Sequence, residues 1–162
     1  MKLTKNNISK RDEPIQLAPI EVGFGDNGTA PFFKIHRKTE AIAELARKES
    51  VDPEQPYRTE KGRGFDVRRV PNIRDDVFME RMVFHLIAGW SELTTRNIFI
   101  ITDPSKSTIK FDGNDEQPIE YTDEAKELIC SCADDTFRAF ILQVSMDNQI
   151  FFHSLNSEQE KN

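Results

Sequence analysis

The chain has 162 residues, a formal net charge of −6, and 31% charged against 37% apolar residues, which allows one modest core with polar ends and argues against a solenoid. An acidic balance opposes general nucleic-acid binding, since phosphates repel it unless a local basic stripe outweighs the total. No stretch approaches 18 consecutive apolar residues and the N-terminus lacks a signal-peptide core, so a cytoplasmic protein without membrane contact is expected.

Residues 1–14 are polar, carry Lys2, Lys5, Lys10 and Arg11, and end at Pro14; they read as a loose arm. Residues 15–48 come next. Ile15, Leu17, Ile20, Val22 and Phe24 lie before the turn chemistry of Asp26-Asn27-Gly28, and Phe32, Phe33 and Ile35 follow it, which predicts a β-hairpin. Gly23-Phe24-Gly25-Asp26-Asn27-Gly28 matches a dinucleotide-binding fingerprint in letters. Phosphate cradling needs those glycines to open a helix, whereas here a strand-like segment follows, so the match is rejected. Thr39 to Lys48 has good helix formers with Ala41, Ile42, Leu45 and Ala46 spaced for one face, a short helix.

Residues 49–74 contain Pro53, Pro56, Gly62 and Gly64 and read as a flexible Arg-rich linker. From Arg58 to Arg74 six basic residues oppose two acidic ones, a balance of +4. From Asp103 to Asp135 ten acidic residues oppose three basic ones, a balance of −7. Solvated surface is the default for both runs, and pairing with a complementary patch is the sharper alternative.

The helical module spans 75–155. Asp75 and Asp76 suit the positive start of its first helix, Val77, Phe78, Met82, Phe84, Leu86 and Ile87 supply a wide apolar face, and Gly89 suits the C-terminal cap region. His85 in that run reads as a hydrogen-bonded structural histidine, because no Ser, Cys or carboxylate is placed in sequence to suggest a catalytic partner. Residues 97–101 and 108–111 predict a second hairpin, inserted near 97–111. The acidic run from Asp112 departs from a calcium loop, with Gln117 at the sixth position and Asp123 at the twelfth.

Thr122 caps a further helix, and Asp134 or Asp135 starts another in which Phe137, Phe140, Ile141 and Val144 form one stripe. Most of the stripe is expected in the core, with part available to a partner. Trp90, Phe137, Phe140, Ile141, Val144 and Phe151 are the candidate partner-binding residues. Cys130 and Cys132 read as structural thiols, and His36, His85 and His153 are too scattered for a zinc pattern. No catalytic residue, metal ligand or cofactor site is expected, and residues 156–162 read as a tail.

Gly89-Trp90, Asp112-Gly113, Pro118-Ile119-Glu120-Tyr121-Thr122, Phe137 with Phe140, and Glu160-Lys161-Asn162 occur in this order. In that order the chain, over residues 75–162, resembles the tail assembly chaperones of long-tailed bacteriophages and prophages. The stretch Thr94 to Phe111 departs from the pattern as an insertion between Trp90 and the Asp-Gly turn. The resemblance implies a non-enzymatic cytoplasmic chaperone that coats the tape-measure protein and recruits tail-tube subunits, with a groove built from residues 75–90 and 122–155. The alternative is a tail structural subunit, a tube or completion protein. Self-association is open in either case. The expected fold class is α+β: an N-terminal hairpin region, a basic linker and a mostly helical C-terminal module.

Overall fold

The computed structural model describes residues 17–64, 66–110 and 116–159, and side chains as far as 157. Within them the fold is α+β, with five α-helices and two small antiparallel sheets.

Strand β1 (Ile20–Gly23) pairs with β2 (Phe32–Ile35) as the sequence predicts, Ile20 opposite Ile35 and Gly23 opposite Phe32. The turn between them is a short 3-10 segment, Asp26–Gly28, with Asn27 and Gly28 at positive φ. A Cβ on Gly23 would lie 2.0 Å from the Gly28 carbonyl oxygen. Glycine is therefore required there by close backbone approach, not by a phosphate. Helix α1 (Glu40–Glu49) follows, and Thr39 Oγ1 accepts from the Ile42 N–H at 3.3 Å to cap it.

The linker expectation fails next. Residues 57–71 form a second hairpin, β3 (Tyr57–Lys61) and β4 (Val67–Pro71), paired in register from Tyr57 opposite Pro71 to Lys61 opposite Val67. The prolines and glycines sit at its ends and tip, while Tyr57, Thr59, Val67 and Val70 have the β-propensity that the run of arginines obscures.

Helix α2 (Asp75–Leu86) buries Met82, Val83 and Leu86 and packs against α1, α3 (Asp123–Cys132) and α4 (Asp135–Met146). It does not reach Gly89. At Ile87 the chain turns extended and becomes β5 (Ile87–Ser91), which pairs antiparallel with β2. Sheet pairing thus ends the helix, and the His36 N–H donates to the Leu86 carbonyl at 2.8 Å where the two meet. Gly89 is a strand residue opposite Lys34, so its role as a helix cap is corrected.

The second predicted hairpin is also absent from residues 97–110, and Phe111 lies outside the described residues. Its first half is a 3-10 turn, Ile98–Ile100, that buries Ile98 and leads into buried Ile101. Its backbone groups pair with the α3–α4 junction, Asp134 N–H to Ile101 at 3.0 Å and Asp103 N–H to Cys132 at 2.7 Å. An apolar run here is anchored by tertiary pairing, which local alternation does not reveal.

Helices α3 (Asp123–Cys132), α4 (Asp135–Met146) and α5 (Asn148–Gln159) complete the fold, capped at Thr122 and Asp134 as predicted. Helix α5 continues through the segment read as a tail, as far as 159. The N-terminal arm, the Asp112-Gly113 turn and the Glu160-Lys161-Asn162 terminus lie outside the described residues. The core joins the sheet to α2, α3 and α4, and Phe137 lies 4.8 Å from Phe33, ring centre to ring centre.

Candidate interaction surfaces

Two of the segments that carry the resemblance, Gly89-Trp90 and Pro118–Thr122, meet in space. The Trp90 indole N–H donates to the Ile119 carbonyl at 2.7 Å, and the Tyr121 ring meets the indole edge-on with centroids 4.7 Å apart. Tyr121 Oη donates to the Ile87 carbonyl at 3.3 Å and accepts from Lys126 Nζ at the same distance. The intervening chain leaves and returns at one point, where the Ile119 N–H donates to the Leu93 carbonyl at 2.8 Å and the Thr95 N–H to Gln117 at 2.9 Å. The two ends of the intervening chain are thus stapled together, so the insertion leaves Trp90 packed on the Pro118–Thr122 segment.

Beside this hub, an ionic cluster ties three helices. His85 Nε2 lies 2.7 Å from Glu49 Oε2, and Arg81 pairs with Glu127 while lying 3.9 Å from Glu49. Glu49 belongs to α1, Arg81 and His85 to α2, and Glu127 to α3. The expected hydrogen-bonded His85 has a carboxylate partner 36 residues away, which no local signal marks. Lys126 is buried with its ammonium 4.3 Å from the centre of the Phe84 ring, and burial lowers its pKa. Burial pushes the Cys130 thiol up to about 12, which leaves it neutral and unreactive at ordinary pH. Cys132 is buried too, and both thiols are free. Among the described residues no group of His, Cys, Asp and Glu is arranged to hold a metal ion, and no helix is long and apolar enough to cross a membrane.

The residues nominated for a partner are mostly core. Phe137, Ile141 and Phe151 have no exposed surface, and Val144 and Trp90 are buried. The stripe faces the sheet, where Phe24 meets Phe137 edge-on at 5.2 Å, so its aromatic surface is already satisfied within the chain. Phe140 alone stays half-buried, against Phe24 at 5.0 Å. Exposed apolar side chains near them in sequence are Met146 at the end of α4, and Ile150 and Phe152 on α5. Adjacent Phe151 and Phe152 divide the roles, one fully buried and the other 49% exposed, with the Arg37 guanidinium 5.8 Å from the Phe152 ring. Sequence spacing identified the stripe but could not tell which side of α5 the sheet covers.

A different surface, the β3–β4 hairpin, escaped the sequence reading as a structure. All its strand residues are exposed except half-buried Val70. Its base is fixed between α1 and α2 by Asp52 N–H to Asn72 at 2.9 Å, Asn72 N–H to Pro56 at 3.0 Å and Arg74 N–H to Ser50 at 2.9 Å. Opposed pairs place Tyr57, Thr59, Lys61, Val67 and Arg69 on one face, and Arg58, Glu60 and Arg68 on the other. On the latter face Arg58 pairs with Glu60 at 2.6 Å and Arg68 with Asp66 at 3.3 Å.

No protein-family model, curated protein or solved structure matches the chain.

Proposed function

We propose that the chain is a tail assembly chaperone of a long-tailed bacteriophage or prophage, acting without catalysis in the host cytoplasm to bind the tape-measure protein and bring tail-tube subunits to it. The observation that carries this reading is the Trp90–Ile119 hydrogen bond with the Trp90–Tyr121 contact, which unites two segments of the resemblance into one packed unit across the insertion. Half-buried Phe140 and exposed Met146, Ile150 and Phe152 on consecutive helices offer apolar surface for an amphipathic helix, within a chain of net charge −6 that resists aggregation. Co-expression with the tape-measure protein encoded beside it tests the reading. A tape-measure protein that becomes soluble only in the presence of this chain supports it; one whose solubility is unchanged counts against it.

The second reading, a structural subunit of the tail, is favoured by one observation, the exposed β3–β4 hairpin, since an arm whose strand residues are left exposed among the described residues suits contact between subunits. Mass spectrometry of purified virions separates the two. A chaperone is absent from the finished particle and a subunit is present.

A further inference from the structure

The β3–β4 hairpin combines three properties that an unused surface rarely has together. Residues 57–71 hold five basic residues against two acidic ones, a balance of +3 on a chain of net −6. The Arg58 and Arg68 charges are matched within the hairpin, whereas Lys61, Arg63 and Arg69 have no ion pair among the described residues. The Arg69 guanidinium instead lies over the Tyr57 ring, 4.2 Å from its centre, beside exposed Val67. Together with Glu54, Gln55 and Thr59 these side chains line a shallow depression of about 390 Å³. A two-stranded ribbon that covers no apolar face is marginal in water, and a partner on this face would supply the missing burial.

The complementary surface is on the same molecule. Glu120, Asp123 and Glu124 are exposed at the start of α3 and take part in no ion pair among the described residues, in contrast to Glu116, which pairs with Arg96, and Glu127, which pairs with Arg81. Leu128, one turn beyond Glu124, is 44% exposed. No ion pair joins the hairpin to this patch within the chain among the described residues.

We propose that the Tyr57–Arg69 face of the hairpin docks on the Glu120–Leu128 surface of a second copy of this chain. Cations meet unpaired carboxylates, and Tyr57 and Val67 meet Leu128, a composition typical of contact centres between proteins. Each copy carries one arm and one acceptor, so the contact either closes as a reciprocal pair or propagates head to tail. Nucleic acid fits less well, because only three unmatched cations stand on an arm whose parent chain is acidic. The inference holds under either proposed function.

Sedimentation velocity of the full chain across a concentration series, in low and high salt, tests it with two charge reversals, Lys61→Glu/Arg69→Glu and Glu120→Lys/Glu124→Lys. All four side chains are exposed, and circular dichroism checks that both variants fold. Wild type should associate, at least tenfold more weakly in high salt. Each variant alone should be monomeric, and an equimolar mixture of the two should associate again, because the native arm of the acceptor variant meets the native acceptor of the arm variant and the reversed arm meets the reversed acceptor. A monomeric wild type, association unaltered in either variant, or a mixture that stays monomeric overturns the proposal. So does salt-sensitive binding of a DNA or RNA oligonucleotide, lost with Lys61→Glu/Arg69→Glu, by a chain that does not self-associate.

Discussion

The Trp90 and Tyr121 rings meet edge-on, 79° apart in plane, and the indole N–H reaches past the contact to the Ile119 carbonyl. This pair fastens β5 to the segment that leads into α3. Trp90→Phe keeps an aromatic ring but deletes the donor, leaving the Ile119 carbonyl without it. Loss of about 1–3 kcal/mol is expected, read as a lower urea midpoint at unchanged slope. Tyr121→Phe removes a hydroxyl that is partly solvated and should cost less, about 1 kcal/mol.

Cys130 predicts a pH dependence. Its folded pKa of about 12 stands above the ordinary 9.0, so between those values the unfolded chain has lost a proton that the folded chain keeps. Stability from this group is complete below pH 9 and falls as pH rises through the window. Buried Lys126, with its pKa lowered, acts oppositely, gaining stability up to its ordinary 10.5. Comparison of wild type with Cys130→Ala isolates the thiol. From pH 8 to pH 10.5 wild type should lose about 2 kcal/mol more than the variant in urea unfolding.

The helix caps give a smaller effect. Thr122 Oγ1 accepts from the Ala125 N–H at 3.1 Å and Asp134 Oδ1 from the Phe137 N–H at 2.7 Å. Thr122→Ala and Asp134→Ala should each lower stability by about 1 kcal/mol, with the two losses adding because the sites share no partner. Thermal unfolding of the single and double variants checks both statements.

Local chemistry made the capped helices legible: Thr39, Thr122 and Asp134 announce the starts of α1, α3 and α4, and Asp26-Asn27-Gly28 announces the first turn. Where the fold departs from expectation, a distant partner decides. Ile87 leaves a helical pattern because β2 offers it a strand partner, and Ile98 to Asp103 forgo a hairpin because the α3–α4 junction takes up their backbone groups. In the β3–β4 hairpin the charge run points to a linker, while the pairing rests on β-prone residues interspersed among the charges. Which of the candidate partner residues lie in the core was not legible for a related reason. A stripe of Phe137, Ile141 and Val144 fits a core or a docking face equally well until the opposing sheet is seen.

Core and surface aromatics should therefore separate in experiment. Phe137→Ala, in a site with no exposure, should cost about 3–5 kcal/mol. Phe152→Ser, on the exposed side of α5, should change stability by no more than about 0.5 kcal/mol. Chemical denaturation of the two variants reads both numbers on one scale.

The most direct test of the proposed function uses that separation: co-purification of the tape-measure protein with the tagged chain, comparing wild type with Ile150→Asp/Phe152→Asp under conditions where both are folded. The account predicts that wild type retains the tape-measure protein and the variant loses it. A wild type that captures none, or a variant that captures as much as wild type, would contradict it.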